Sequence, residues 1–206
     1  MSVLKRRKRC VKSKKVIKIK LVSILYAWGS LCVLFLMSGC MVTSEFPLEE
    51  YDPKKFNDGI LGVWINKDET TTLIIHGKNF GRYEVVCVLN EDGKVDVLRY
   101  KFYLSQLDGK NYANLKQVLE NDQASTTFEL VRYEFQDKNE LKIIMPDTAV
   151  FKKAVQTGGI KGDYKVFVNI RDDIAHLSAF VRNHQNSFPS EGGMIFYKAI
   201  SVEPKE

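Results

Sequence analysis

The groups able to do chemistry in this 206-residue chain are few, and their spacing suits no familiar reaction. Three histidines, His76, His176 and His184, are the natural candidates for a metal ligand or a general base. His176 and His184 stand about two helical turns apart, so one helix would carry both near one face. A helical zinc site needs an i, i+4 pair with a further ligand, as in an H-E-x-x-H frame, and neither is present. Solvated or capping histidines are therefore expected, and no metal. No Gly-x-Ser-x-Gly elbow presents a nucleophile, and Gly158-Gly159-Ile160-Lys161-Gly162 follows a helical pattern instead of opening one, which makes it a helix stop and not a phosphate loop. Glu49-Glu50 lie in a polar stretch and Asp172-Asp173 at a helix start, where solvation and the helix dipole account for them. Lys152-Lys153 reads as a solvated helix face. No catalytic, cofactor-binding or metal-binding residue is assigned, no cofactor is expected, and the chain is expected not to be an enzyme.

The four cysteines separate by position: Cys10, Cys32 and Cys40 precede the body of the chain and Cys87 lies within it. Cys87 sits in Val85-Val86-Cys87-Val88-Leu89, where a small buried hydrophobe is expected, and a lone cysteine supplies no paired zinc spacing. Cys40 is different. A block ending at Lys20 contains ten Lys or Arg and no acid, and the uncharged run from Leu21 to Ser44 follows it directly. That order is a positive n-region followed by an apolar h-region. The run closes on Leu36-Met37-Ser38-Gly39-Cys40, which resembles the lipobox of bacterial lipoproteins. Ser38 and Gly39 are small enough for a peptidase to reach the bond before Cys40, and the Cys40 thiol would take diacylglycerol. Met37 departs from the usual Leu, Val or Ile. The resemblance implies residues 1–39 as a cleaved signal peptide and a lipid-anchored mature chain facing away from the cytoplasm at a bacterial cell envelope, with Met41 favouring the outer membrane of a Gram-negative host. The alternative is an uncleaved membrane anchor, since the run is long enough to span a bilayer. Both topologies keep the basic block cytoplasmic.

Charge follows the same division. Ten of the 31 Lys and Arg fall in residues 1–39 with none of the 25 acids, so from residue 40 onward 21 bases face 25 acids, a net charge of −4. The overall +6 therefore belongs to the leader, and nucleic acid is excluded as an expected partner.

What must position any site is mainly β. Residues 40–58 are polar with scattered Pro and acids and read as a tether. From 59 onward, β-rich segments recur at Gly62–Ile65, Thr71–His76, Arg82–Leu89, Val95–Leu104, Tyr112–Gln117, Thr126–Phe135 and Leu141–Met145. Separators such as Asn90-Glu91-Asp92-Gly93 and Leu107-Asp108-Gly109-Lys110 are hairpin turns, so the order is an antiparallel meander. Leu98, Tyr100, Phe102 and Leu104 alternate with polar residues and give a core face, as do Val131, Tyr133 and Phe135. The third segment is apolar on both faces and is expected to be central or covered. Helices are expected after Asp147, closing at Gly158-Gly159, and over Asp172–His184 behind Asp172 or Asp173 as cap. Tyr164–Ile170 reads as a short strand, and Met194–Ile200 returns as another.

Gly62-Val63-Trp64 opens the first strand, where Gly permits close backbone approach and Trp buries a large body with one N–H to satisfy. With the meander, helix and final strand that follow, it resembles the lipocalin-like (calycin) barrels over about Ile60–Val202. The family's mid-barrel Thr-Asp-Tyr turn is missing; Gly162-Asp163-Tyr164 is one residue short and lies late. The resemblance implies a barrel or half-barrel with two short helices near the C-terminus, and Gly62 and Trp64 as structural motif residues. The expected role is an anchored, non-enzymatic module binding a small apolar ligand or an envelope protein. The other reading is a structural module of an envelope complex.

Overall fold

The computed structural model describes residues 41–200. Residues 1–39, Cys40 and the signal assigned to them lie outside the described residues. Eleven strands are present: β1 (Val42–Ser44), β2 (Gly62–Asn66), β3 (Thr71–Lys78), β4 (Arg82–Glu91), β5 (Lys94–Leu107), β6 (Lys110–Gln117), β7 (Phe128–Asp137), β8 (Glu140–Ile144), β9 (Gly162–Tyr164), β10 (Val168–Ile170) and β11 (Met194–Ile200), with helices α1 (Thr148–Gln156) and α2 (Ile174–Asn183).

Strands β2 to β8 each pair antiparallel with the next, and β11 returns between β8 and β2, antiparallel to both. The result is a closed eight-stranded antiparallel meander barrel; the helices are inserted between β8 and β11 without breaking it. Local chemistry explains the turns. Asp92-Gly93 (φ 50° and 78°) and Asp108-Gly109 (φ 49° and 75°) take the paired positive φ of type I′ hairpins. Asp147 caps α1, its carboxylate accepting from Ala149 N at 2.8 Å, and Gly158 at φ 74° stops it. Asp173 caps α2 by accepting from His176 N at 2.9 Å.

Alternation divides the side chains between two cores. Inside the barrel, Trp64, Tyr83, Phe102, Tyr133 and Phe196 are all buried. Gly62 takes φ 129°, and Trp64 behind it donates its indole N–H to the Ile60 carbonyl at 2.8 Å. The opposite faces of β6, β7 and β8 supply Tyr112, Leu130 and Ile144 to a second core completed by Phe151, Leu177 and Phe180 of the helices.

Two expectations are corrected. The segment expected to be a tether is folded in: β1 runs antiparallel to β7 and parallel to β10, and Val42 and Leu48 belong to the second core. The reason is two isolated apolar residues that find distant partners. The short strand expected at Tyr164–Ile170 is instead two strands, β9 and β10, paired across a turn. The third β segment is central, one of its two expected placements: β4 lies between β3 and β5, with Cys87 and Val85 inward and Val86 and Val88 half-buried on the outer wall.

Candidate functional site

Inside the lumen, five large rings pack with Leu73, Ile75, Leu104 and Leu141. A groove of about 610 Å³ lies on the outer wall of β4, β5 and β6, within the range of small-molecule sites.

Its floor is the outward register of the sheet, where Glu84 sits opposite Lys101 and Tyr103 opposite Asn114. One wall is Tyr51, carried on residues 48–57, a strap held at both ends. Leu48 donates its N–H to Asn114 Oδ1 at 2.8 Å, and its carbonyl accepts from the Ser178 hydroxyl of α2. Asn57 N donates to Tyr83 Oη at 2.6 Å, which fixes the other end. Between them Tyr51 meets Tyr103 edge-on at 5.4 Å, and the Arg82 guanidinium lies 4.9 Å from the Tyr51 ring centre. The opposite wall is Phe128, with the Lys116 ammonium 4.3 Å from its ring centre.

At the rim stands Phe80, on the turn from β3 to β4. It is 80% exposed and takes φ 63°, ψ 41°, a left-handed conformation that costs a bulky residue about 1–2 kcal/mol. The next residue must be glycine: Gly81 has φ 70°, and a Cβ there would stand 2.9 Å from the Pro53 carbonyl oxygen. The strap thus presses on the turn and leaves Phe80 facing outward.

A second group converges at the start of α2. Asp172, Asp173 and His176 bring ligand-type atoms within 4.8 Å of one another. Burial pushes the Asp172 carboxyl up, but hydrogen bonds from Lys161 N (3.0 Å), His176 Nδ1 (3.1 Å) and Asp173 N (3.2 Å) outweigh it and hold the carboxyl below its ordinary range. Those bonds account for the trio as a helix start. His184 is elsewhere, its Nδ1 2.9 Å from the Phe180 carbonyl and its ring stacked on Phe180, so the two histidines form no shared site. His76 is exposed on β3.

Two further groups, Arg132 and Glu129, were not singled out in the sequence. Arg132, 3% exposed on the outer face of β7, donates to the Phe188 carbonyl at 2.8 Å and to Glu134 and Ser190 at 2.7 Å, pinning the segment after α2. Glu129 lies on the lumen face, directly opposite Leu115, and burial pushes its carboxyl up to about 7. Cys87 and Tyr100 line the same lumen, and burial raises the thiol and the phenol alike.

Of the residues singled out in the sequence, Gly62 and Trp64 are in the barrel, Cys87 lines its lumen, and Cys40 lies outside the described residues. Strand parity places the groove's cations outward, but the strap that carries Tyr51 has no sequence signature. Among the described residues, no helix is long and apolar enough to cross a membrane. Comparison with protein-family models, with curated proteins and with solved structures finds no match to this chain.

Proposed function

We propose that this chain is an envelope lipoprotein of lipocalin-like build, anchored through Cys40 on the side of the membrane away from the cytoplasm, that binds a ligand without transforming it. The ligand site is the outer groove and not the lumen. The observation that carries this reading is Phe80, a large aromatic held at positive φ and in solvent at the rim of a concavity walled by other rings. Backbone strain and exposed apolar area both cost stability and fit a binding role. Support for the lipocalin-like build is the closed meander entered through Gly62 and Trp64; support for the anchor is the leader and Leu36–Cys40 in the sequence alone.

The test is native mass spectrometry of the full chain extracted from its host membranes in neutral detergent, beside Phe80→Asn, which tolerates the same backbone. A small molecule retained by the wild type and lost from the variant is expected. Equal retention by both, or none by either, overturns the groove as ligand site.

One observation favours an assembly module instead. The outer faces of β2 to β5 carry an aliphatic ladder in cross-strand register, Val63 beside Ile74 and Val86, and Thr72 beside Val88 and Val97, with Val97 56% exposed. Under this reading Val88→Lys disperses an assembly seen by sedimentation of the wild-type chain; identical monomers in both would sink it.

A further inference from the structure

We infer that the ligand of the groove is an anionic amphiphile, a phosphate or carboxylate head on an apolar body; the inference rests on the groove being the ligand site. Four cations, Lys78, Arg82, Lys101 and Lys116, line it against one carboxylate, Glu84, which is already engaged by Lys78 at 3.2 Å. Among the described residues, Arg82, Lys101 and Lys116 pair with no carboxylate. The arginines elsewhere behave differently. Arg99 meets Asp122, Arg132 meets Glu134, Arg171 meets Glu45 and Asp163, and Arg182 meets Asp108. Arg82 is thus the exception among the described arginines, on a chain that carries a net −4 from residue 40 onward.

The free cations are also positioned. Arg82 rests over Tyr51 and Lys116 over Phe128. A ring face holds a cation in place while leaving its charge available, whereas a salt bridge would neutralise it. In the same wall the Tyr51 hydroxyl is buried and has no hydrogen-bond partner among the described residues, which is an unusual state for a buried polar atom. Guanidinium and ammonium groups bind phosphate or carboxylate oxygens through charge-assisted hydrogen bonds. Beyond them, the exposed Phe80 ring and the Phe128 wall offer contact to an apolar body that a bare inorganic anion would not use.

The test is calorimetric titration of the full chain in neutral maltoside detergent at low ionic strength, with hexyl phosphate, hexanoate, hexanol, hexyltrimethylammonium and inorganic phosphate as probes. Hexyl phosphate or hexanoate is expected to bind at least about tenfold more tightly than hexanol or hexyltrimethylammonium, and to weaken with added salt. Arg82→Gln combined with Lys116→Gln should remove that preference, while Lys152→Gln, whose ammonium lies over Tyr164 away from the groove, should leave it intact. Inorganic phosphate binding as tightly as hexyl phosphate would overturn the amphiphile and leave a free anion as ligand. Equal binding of all hexyl probes, lowered in Phe80→Asn, would overturn the anionic head and leave the groove standing as a site. Binding that neither Phe80→Asn nor the double variant alters, or no binding at all, would overturn both.

Discussion

Glu129 is a carboxyl placed where a carboxylate is costly. Its neighbours on the lumen face are Leu115 across the strand and Val131 along it, and burial carries its pKa from the ordinary 4.5 to about 7. The folded state therefore holds a proton that the unfolded chain releases at lower pH. Its stabilising effect is complete below pH 4.5, declines as pH rises through 7, and is absent above. For a fully shielded group the span would be roughly 3–4 kcal/mol; Glu129 is only partly buried, so a smaller loss is expected. Urea denaturation across pH 4 to 9 should show this decline, and Glu129→Gln should flatten it and gain stability at the alkaline end. Phe80→Asn should leave stability unchanged or raise it by up to about 1 kcal/mol, because Asn tolerates left-handed backbone better. Position 129 shares the parity of Val131, Tyr133 and Phe135, which turns it toward the lumen. What parity lacks is environment: β8 reaches up β7 only to Arg132, and β1 takes over that edge at Glu129 and Phe128.

Elements whose cause is local were legible, and elements whose cause is distant were not. The hairpins at Asp92-Gly93 and Asp108-Gly109, the Asp147 cap and the Gly158 stop each depend on residues within a turn of one another, and each is found where the sequence places it. Asp147→Ala should accordingly cost about 1 kcal/mol, measurable as a drop in Tm. The strap is the opposite case. Leu48 is fully buried, yet its backbone partners, Asn114 and Ser178, lie 66 and 130 positions away, and no periodicity marks a single leucine. Leu48→Ala should cost about 2–5 kcal/mol and, by loosening the wall that holds Tyr51, should also weaken ligand retention in the native-mass assay. Arg132 is a related case: strand parity turns it outward, but the segment that covers it arrives only after α2.

At the scale of the molecule, one sheet serves two cores, with the rings of the lumen on one side and the helices on the other side of β6 to β8. The barrel closure was expected as one of two outcomes, because a sequence shows that strands follow one another but not that the last finds the first. The anchor belongs to this scale too. Intact-mass analysis of chain from native membranes should begin at Cys40 with added acyl mass, lost in Cys40→Ala; an unprocessed chain would make Leu21–Ser44 a membrane span instead.

On that proposal β1 acquires a mechanical meaning. Only two residue steps separate Cys40 from Val42, about 7 Å of chain at full stretch, and Val42 is already clamped beside Val168 of β10. An acylated Cys40 would have no leash. The barrel would ride flush on the bilayer, unable to reach outward, with its tilt fixed by the strand it hangs from. Ser44, two residues further along β1, pairs with Phe128, so the wall of the groove lies one strand's width, about 5 Å, from β1 itself. A lipid leaving the leaflet would find that wall no more than about 20 Å from the anchored cysteine.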